Sequence, residues 1–502
     1  MWQKNFMSIL GIAAGFHDAA ATLINRQGDI LFAGHSERYS KLKHDPNISA
    51  GLITETHGYH IDTIAYYETP WKKQLRQLYS GQGIEWDKLL TSNILDDQVR
   101  PFYADATYPR NIITCNHHLS HAAGGFQTSP FDRATVVVID AIGEWDSITI
   151  WGAEYAKTGK AVYKKLWGQR YPHSIGLFYS AMTKRAGLRP LDEEYILMGM
   201  AAYGSSHASD VMKLDLIENE WDIKFKENLH MGLSSKYLTD CNDMDIAASA
   251  QDLVEDLILN VMVRARNFKW STNLVYMGGV ALNCLANRRI GNYFDNIWIM
   301  PNPGDAGSSL GAAALVYGKR LNWIDAYLGH NIPGPYPVNA LLDSLLTDKI
   351  VGVASGRAEF GPRALGNRSL LADPRGIDIK DRVNEIKRRQ QFRPFAPVIL
   401  EEHVDEYFDM PRSFPTSPYM QSVAVCKMPD QFPAIVHADG TSRVQTVPKN
   451  GSGIRDLLEK WFVMTGCPML LNTSLNIRGE PMVNDRTDAD RFEELYNVKV
   501  QS

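Results

Sequence analysis

The sequence predicts an α/β fold in two parts: an internally duplicated first half, followed by a separate, smaller domain. Strand–turn–strand–turn–strand units begin at residue 8 and again at residue 134, and this spacing indicates a duplication. A Pro/Gly-rich stretch at 330–337 then marks a break in character. Because 502 residues exceed one ordinary core, we predict two domains, at 1–332 and 333–502.

Composition places the chain among globular proteins and excludes several function classes. Hydrophobic residues make up 44% and charged residues 22%, and the net charge of −5 favours neither nucleic acid nor an anionic membrane. No apolar run of about 18 residues exists, so we expect no membrane span. Residues 1–6 do not resemble a signal peptide and are predicted to be a dispensable extension. Five widely spaced cysteines predict reduced thiols and a cytoplasmic protein.

The two repeats carry polar turns at matching places. In the first repeat, His17 and Asp18 lie in the turn between two apolar strands. In the second, the strand at 134–140 ends at Asp140, and Gly143 and Glu144 form the turn. Folds with two such lobes use these turns to hold nucleotide phosphates across a cleft, so we expect the polar groups to share one crevice. A plain polar loop is the alternative for either turn alone.

A histidine pair suggests a metal site. His117 and His121 are four residues apart, which on a helix places both imidazoles on one face within reach of a single ion. A hydrogen-bonded pair is the alternative. Asp140 and Asp305, each predicted at the end of a strand, are candidate carboxylate ligands. Two histidines with two carboxylates suit Fe(II), Mn(II) or Zn(II).

Two further predicted helix starts could contact a nucleotide. Gly278 and Gly279 follow a strand at 273–277 and are predicted to open a helix together with Asn283, where backbone N–H groups can approach a phosphate. Glu194 precedes a Met/Gly-rich helix start, and it could bind a ribose hydroxyl or cap the helix. A long helix at 246–267 follows from its apolar spacing and is assigned to the core.

The second half reads as an anion site. Between residues 357 and 393 there are ten Lys/Arg and five Asp/Glu. These cations are set among glycine and proline, which suits fork-like binding of a small polyanion better than nucleic acid. A solvated charged face is the alternative. Asn472 and Ser474 follow an apolar strand at 468–471 and offer donors to a phosphate or carbamate oxygen. Ser474 lacks the surroundings of a nucleophile.

Motifs along nearly the whole chain resemble the O-carbamoyltransferase family, which includes the nodulation-factor, cephamycin and tobramycin carbamoyltransferases. Each motif is modest evidence, whereas their number and order are specific. They lie at 15–18, 36–38, 43–45, 117–123, 140–144, 194–199, 278–283, 304–307, 359–369, 392–397 and 472–476.

The resemblance implies two active sites. The first domain would have a duplicated actin-like, ribonuclease-H-like fold, and the second would resemble the twisted α/β sheet of threonylcarbamoyl-adenylate synthase. The second domain would make carbamoyl-adenylate and pyrophosphate from ATP and carbamoyl phosphate. The first would pass the carbamoyl group, with the help of a divalent metal, to a hydroxyl of a small molecule, sugar or nucleotide. Neither the acceptor nor the oligomeric state can be read from the sequence.

Motif position then implies a role for each candidate residue. Lys387 and Arg393 would be catalytic in the second site. His17 would lie nearest the acceptor hydroxyl, as a general base or as a hydrogen-bonding turn residue. Fe(II) is the first choice of metal, with Mn(II), Mg(II) and Zn(II) as alternatives, held by His117, His121, Asp140 and Asp305. Substrate and ATP contacts would come from Arg363, Arg443, Asn472, Ser474, Gly278, Gly279, Asn283, Glu194, Gly143 and Glu144.

Two departures from the family pattern carry expectations of their own. Ile196 stands where the family often has lysine, so a nucleotide contact is expected to be absent. The chain ends at Ser502 with a shorter tail than the family has, so we expect a trimmed second domain. Segments 46–108 and 205–245 are expected to shape the acceptor pocket.

Three other functions are alternatives for this sequence. A tRNA-modifying threonylcarbamoyl transferase has relatives of both domains, but the acidic net charge disfavours it. An actin-fold small-molecule kinase would leave the histidine pair and the arginine-rich half unexplained. A non-catalytic scaffold would not need so many polar groups at strand ends.

Overall fold

The computed structural model of the chain describes residues 8–104, 107–451 and 453–502. The extension predicted at 1–6 lies outside them. The chain forms two compact units: the first runs to Ser36 and resumes over His44–Ile324, and the second combines Glu37–Lys43 with Asp325–Ser502. The first unit therefore ends before the predicted division at 332/333, because Tyr327–Ile332 is a strand that pairs with Gly356–Glu359 of the second unit.

The first unit contains two five-stranded sheets and the helices packed on them. Its strands are β1 Ser8–Ala13, β2 Ala20–Ile24, β3 Ile30–His35, β4 Ile61–Tyr66, β5 Asn111–Thr114, β6 Arg133–Gly143, β7 Asp146–Tyr155, β8 Ala161–Arg170, β9 Ile217–Asn219, β10 Lys224–Phe225, β11 Asn273–Met277 and β12 Asn296–Trp298. A short helix, α1 Glu37–Ser40, belongs to the second unit. The helices of the first unit are α2 Ala50–Thr54, α3 Pro70–Tyr79, α4 Thr91–Gln98, α5 His117–Thr128, α6 Ile175–Arg185, α7 Glu194–Met200, α8 Ser209–Leu216, α9 Asp243–Asn267, α10 Cys284–Ile290 and α11 Ser308–Tyr317.

The two sheets share one topology. Their strand orders are β3-β2-β1-β4-β5 and β8-β7-β6-β11-β12. In each sheet three antiparallel strands come first, and two further strands then add in parallel beside the first of them. The β-branched run of β6 is fully buried at the centre of its sheet, as such residues favour. The duplication predicted from the sequence is therefore visible as a repeated strand order.

Helices α5 and α11 lie between the sheets and bring the site together. Helix α11 packs on β1, β2 and β4, whereas α5 packs on β6 and β11, and the two helices pack against each other. Glycine makes this approach possible: a Cβ on Gly311 would lie 1.9 Å from the carbonyl oxygen of Ser120, and one on Gly11 would lie 1.9 Å from that of Ser309. The start of α11 is thereby held against the face of α5 that carries the histidine pair.

Helix ends in the first unit follow ordinary capping chemistry. The side chain of Asn116 accepts the N–H of Leu119 and starts α5, and Asn242 does the same for α9. Helix α9 has Asp243 in its first turn and Arg266 in its last, which matches the helix dipole. Its observed span of Asp243–Asn267 includes the predicted helix at 246–267.

The second unit is built on a mixed six-stranded sheet. Its strands are β13 Tyr327–Ile332, β14 Ile350–Ala354, β15 Gly356–Glu359, β16 Arg368–Ala372, β17 Ala396–Leu400, β18 Phe408–Asp409, β19 Ala424–Cys426, β20 Thr441–Ser442, β21 Gln445–Val447, β22 Met469–Ser474 and β23 Val500–Gln501. The main sheet has the order β21-β17-β22-β16-β14-β23. Besides α1, its helices are α12 Val338–Thr347, α13 Ile379–Ile386, α14 Val404–Tyr407, α15 Ile454–Thr465 and α16 Arg486–Tyr496.

The segment Glu37–Lys43 is an integral part of the second unit. The guanidinium of Arg38 is buried and donates to the carbonyl of Gly361, and Lys41 pairs with Asp488. The main sheet itself is covered on both faces: Leu457 and Trp461 of α15 pack on one side, and Val383 of α13 and Phe492 of α16 pack on the other. This unit therefore has its own core.

Three local predictions differ from the structure. Asn472 and Ser474 lie within β22 rather than after it, because β16 and β17 continue to pair with them. Asp305 does not end a strand: the loop through Pro301 and Pro303 carries it to a 3₁₀ turn just before α11. Gly279 opens only a 3₁₀ turn, and the short α10 follows. None of the helices formed by the described residues combines the length and apolar character of a membrane span.

Candidate active site

Four side chains of the first unit converge on one point. Nε2 of His117 and Nε2 of His121, on successive turns of α5, are 3.2 Å apart. Oδ2 of Asp140 lies 3.2 Å from the first nitrogen and 3.5 Å from the second. Oδ1 of Asp305 lies 3.4 Å and 3.3 Å from them. All four side chains are at most 10% exposed.

This donor set fits a divalent cation. In a regular tetrahedron the centre lies about 0.61 edge lengths from each corner, so edges of this size place the centre about 2.0 Å from each atom, a usual metal–N or metal–O distance. Two buried carboxylates pointing at two imidazole nitrogens also form an acceptor-rich centre that a cation would balance. The chemistry of the set suits Fe(II), Mn(II) or Zn(II).

The electrostatics of the cluster agree with that fit. Burial lowers the pKa of His117, but Asp305, Asp140 and Glu68 outweigh it and raise that pKa well above its ordinary value. Burial raises the pKa of Asp140, but hydrogen bonds with His117 and His121 lower it well below normal. The carboxylates therefore favour positive charge at the shared centre, which a proton on an imidazole or a metal ion can supply. His118 is different: burial lowers its pKa, and its Nδ1 contacts the Thr149 hydroxyl at 2.9 Å.

Two buried glutamates hold α5 in place. Oε2 of Glu68 lies 3.6 Å from Nδ1 of His117, and its Oε1 accepts from Lys73 at 2.7 Å. Oε1 of Glu144 accepts the N–H groups of Thr69 (2.7 Å) and His117 (3.3 Å), and its Oε2 accepts from Asn116 at 2.9 Å. Glu144 therefore fixes the backbone from which the side chain of His117 projects. Its predicted contact with a nucleotide stays a prediction.

Glycines at strand ends shape the same centre. A Cβ on Gly143 would lie 2.4 Å from Cδ2 of His117. Gly278 has a φ of +91°, and a Cβ there would lie 2.1 Å from the carbonyl oxygen of Ile139. The next N–H, of Gly279, points at Oδ1 of Asp140 at 3.3 Å. In the structure these predicted nucleotide-binding glycines pack around His117 and Asp140.

A chain of alternating histidines and carboxylates begins beside the cluster. Nε2 of His17 is 3.7 Å from Oδ2 of Asp305, and its Nδ1 is 2.9 Å from Oδ2 of Asp18. Oδ1 of Asp18 is 2.7 Å from Nδ1 of His44, whose Nε2 is 2.9 Å from Asp192. Burial raises the pKa of Asp18, but the two histidines outweigh it and hold that pKa far below its ordinary value.

Asn283 and Glu194 have partners within the first unit. The side chain of Asn283 caps α10 by accepting the N–H of Ala286 and is paired with Gln251. Oε1 of Glu194 accepts from Ser180 and from the N–H of Leu191. Ile196, in the position noted above, is buried in α7. Asn283 therefore caps its helix, whereas the capping alternative offered for Glu194 is not realised, because α7 has no side-chain cap hydrogen bond. Nucleotide contacts of either residue stay predictions.

In the second unit Lys387 and Ser474 meet. Nζ of Lys387 is 3.2 Å from the Ser474 hydroxyl, 2.8 Å from the Asn476 carbonyl and 3.0 Å from its side-chain oxygen. Burial, followed by the nearby charges of Arg389 and Arg393, lowers the pKa of Lys387 well below its ordinary value. Arg393 is half-buried, and its positive charge is one of the two that lower the pKa of Lys387.

The other predicted residues of the second unit lie on β22 or in loops. The register pairs Ser369 with Ser474, and Asn472 is two residues from Ser474, so all three point to one side. Oδ1 of Asn472 and Nε of Arg443 are buried without a hydrogen-bond partner. The half-buried Arg363 lies in a loop that folds around Glu359, whose Oε1 accepts the N–H groups of Leu365, Asn367 and Arg368.

The sequence missed several residues that order these sites. Glu68 lies two residues after the end of the buried strand β4, and a carboxylate near a strand end is a signal that could have drawn attention to it. His44 lies in the family motif at 43–45 but was assigned no role, and Asp192 had no such signal, because each has its partner distant in the chain.

Comparison with known proteins decides the family. The model described as "Carbamoyltransferase N-terminus" matches residues 53–314, and the one described as "Carbamoyltransferase C-terminus" matches residues 342–500. The chain belongs to the carbamoyltransferase family. The resemblance found in the sequence is therefore confirmed, and so is the prediction of an enzyme that transfers a carbamoyl group.

Relatives align over most of this carbamoyltransferase. The protein sll1178 of Synechocystis is 33% identical over 96% of this chain and 93% of its own length. Nodulation protein NolNO of Sinorhizobium fredii is 31% identical over 94% of this chain and 76% of its own. A solved dehydratase component A of Acidaminococcus fermentans covers 62% of this chain and 98% of its own at 14% identity, with a TM-score of 0.36, too low for an argument about fold.

Proposed function

We propose that this carbamoyltransferase depends on ATP and works in two steps, one in each unit. The second unit would make carbamoyl-adenylate, and the first would transfer the carbamoyl group to an acceptor hydroxyl. The observation that carries the proposal is the convergence of His117, His121, Asp140 and Asp305 with His17 beside them. A cation centre next to an imidazole supplies what transfer from a phosphate leaving group needs: charge stabilisation and a proton acceptor.

Activation by ATP answers a chemical problem. The nitrogen lone pair delocalises into the carbamoyl carbonyl and makes it a weak electrophile. In the proposed first reaction, water hydrolyses carbamoyl phosphate to carbamate and inorganic phosphate. A carbamate oxygen then attacks the α-phosphorus of ATP and displaces pyrophosphate. The resulting carbamoyl-adenylate carries AMP, a good leaving group, into the transfer step.

The second unit offers the groups for the first step. Lys387, Arg393, Arg363 and Arg443 provide the positive charge that ATP and carbamoyl phosphate require. Support comes from the buried, unpartnered Nε of Arg443 and Oδ1 of Asn472, which leave hydrogen-bonding capacity for a ligand. We propose that this unit is the counterpart of threonylcarbamoyl-adenylate synthase and that the duplicated first unit is actin-like.

In the first unit the residues of this chain would orient the reactants and move a proton. Nδ1 of His17 faces Asp18 at 2.9 Å, so a neutral His17 donates there and keeps a lone pair on Nε2. That nitrogen would accept the proton of the acceptor hydroxyl. A divalent ion held by His117, His121, Asp140 and Asp305 would supply Lewis-acid stabilisation for the charge on the departing AMP phosphate. We propose Fe(II) first, then Mn(II), Zn(II) and Mg(II).

The products of ATP consumption test the first step. With ATP and carbamoyl phosphate, and with water taking the carbamoyl group in the absence of an added acceptor, we expect AMP, pyrophosphate and inorganic phosphate in equal amounts, and about 100-fold less of each with Lys387→Ala. Lys427→Ala is the matched control, since Lys427 is a surface lysine of the same unit that bonds Asp405. Release of ADP in place of AMP would contradict the adenylate mechanism.

Metal analysis tests the donor set. We expect about one equivalent of metal in the purified chain and a loss of at least half of it in His121→Ala. His118→Gln is the control, because His118 lies on the same helix, is equally buried and bonds Thr149 instead. Equal metal in all three proteins would rule out these ligands.

Family membership sets aside the kinase and the scaffold. The acceptor hydroxyl and a cytoplasmic location remain predictions, the latter from the five cysteines, all of which are free thiols in the structure.

A further inference from the structure

We propose that His44 is a positioning residue for carbamoyl transfer, held as an imidazolium between Asp18 and Asp192 so that Asp18 in turn fixes the tautomer of His17. The inference rests on the proposed function, since it assigns His17 the task of accepting the acceptor's proton. It adds residues that do not touch the metal-binding cluster.

The hydrogen-bond inventory requires the imidazolium. Ionised carboxylates only accept hydrogen bonds, whereas a neutral imidazole has one donor nitrogen and one acceptor nitrogen. Both nitrogens of His44 face carboxylate oxygens, at 2.7 Å from Asp18 and 2.9 Å from Asp192. Arg189 pairs with the other oxygen of Asp192 at 2.7 Å and keeps that group ionised. Both ring nitrogens of His44 must therefore carry protons.

The backbone of both partners is shaped for this contact. Asp18 has a φ of +53° and His44 a φ of +56°, a region that residues other than glycine rarely adopt. Such conformations persist only where the surroundings determine them, and they concentrate at functional sites. The N–H of Gly15 donates to Pro46 and that of Ala19 donates to Asp45, each at 2.8 Å, which locks the two loops together.

Each oxygen of Asp18 then has one duty. Oδ1 accepts from His44, and Oδ2 accepts from Nδ1 of His17. Because the carboxylate of Asp18 is immobilised and only accepts hydrogen bonds, a neutral His17 holds its proton on Nδ1. Its Nε2 then faces the side of Asp305. The logic is that of the aspartate that orients the histidine of a serine protease triad, extended by one imidazolium and one further carboxylate.

The test separates the two steps of the reaction. His44→Gln removes the charge and keeps hydrogen-bonding capacity, whereas His44→Arg keeps the charge and several donors. His60→Gln is the matched control, since His60 pairs with Asp62 at 3.2 Å in the same unit but is 66% exposed. ATP–pyrophosphate exchange with carbamoyl phosphate reports the first step, and transfer of labelled carbamoyl to methyl glucoside reports the second. If wild type does not use the glucoside, water serves as acceptor and labelled CO₂ is counted.

We expect His44→Gln to lower the kcat of transfer by about 100-fold, with KM for the acceptor and the exchange rate within about twofold of wild type. His44→Arg should recover about tenfold of the loss, and His60→Gln should behave as wild type. A wild-type kcat in His44→Gln would overturn the inference. So would a rise in KM for the acceptor together with a fall in the ATP–pyrophosphate exchange rate, without recovery in His44→Arg.

A measurement independent of activity covers the case of a variant that does not fold. In ¹⁵N-histidine-labelled wild type at neutral pH, we expect the His44 signals, assigned with His44→Arg, to show two protonated ring nitrogens. A neutral imidazole pattern would overturn the inference. Absence of both exchange and transfer in wild type would instead refute the proposed function, and the His44 spectrum would still report on the clamp.

Discussion

The first turn of each duplicated sheet contains an acidic residue with a positive φ, yet the two residues do different work. Asp18, between β1 and β2, has a φ of +53°, and Glu144, between β6 and β7, has a φ of +51°. Asp18 binds two histidine side chains. Glu144 binds the backbone N–H groups of Thr69 and His117. One turn thus orients the imidazole of His17, while the other anchors the helix that carries His117 and His121.

This difference shows how a duplicated fold divides its labour. Both turns lie at the same edge of equivalent sheets, so both approach the centre of the first unit. A carboxylate that meets imidazoles can set a tautomer and a charge, whereas one that meets peptide N–H groups can only fix a position. The predictions below test whether chemistry and anchoring are separable in this way.

The largest effect is expected for Asp18→Asn. The amide keeps the shape but can present a donor to His17, which favours the wrong tautomer. We expect the kcat of carbamoyl transfer to fall by about 1,000-fold, with unchanged metal content and unchanged ATP–pyrophosphate exchange. Both steps should be assayed together with metal analysis, and a loss of metal in this variant would show that the first turn also anchors the cluster.

Glu144→Gln should show the opposite pattern. Its amide would place N–H groups against the donors of Thr69, His117 or Asn116, so α5 loses its anchor. We expect metal affinity to fall by about 100-fold, measured by competition with a chelator, and activity to return at high metal concentration. Glu154→Gln is the control on β7, because Glu154 is 41% exposed. Undiminished affinity would remove the distinction between the turns.

Gly143→Ala tests the anchoring turn by steric means. The added methyl group would lie 2.4 Å from Cδ2 of His117, within a packed centre. We expect the free energy of unfolding to fall by about 2 kcal/mol in urea titrations. Gly199→Ala provides the comparison, since its Cβ meets open space within α7 and should leave the free energy of unfolding unchanged or raise it. Equal stability of both variants would mean that the turn can move aside.

The smallest effect concerns acid stability through Asp18. Its pKa is lowered in the folded state by His17 and His44, against the effect of burial, so its ionised form stabilises the fold. That contribution is complete above the unfolded-state pKa of about 4 and is lost as pH falls below it. The unfolding free-energy gap between wild type and Asp18→Asn should shrink by about 1 kcal/mol between pH 5 and pH 3. If the difference in unfolding free energy between wild type and Asp18→Asn stays constant over this pH range, the ionised form of Asp18 does not stabilise the fold.

Local pattern predicted much of this protein. The apolar strands around residues 8 and 134 determined the repeat, and their register then followed from burial of one face or both. The spacing of His117 and His121 was enough to predict a shared face on a helix. Family motifs identified the enzyme class and pointed to Asp140 and Asp305, although Asp305 begins a 3₁₀ turn rather than ending a strand.

By itself, then, the sequence determined the α/β class, the repeat, the four side chains that converge and the transfer of a carbamoyl group. Only the tertiary structure decided that Glu144 anchors α5 and that Glu68 lies beside His117. It also decided that His44 joins Asp18 to Asp192, which is 148 residues from His44 in the chain. The physical reason is range: side-chain periodicity follows from the backbone of one element, whereas a charge clamp depends on where separate loops meet.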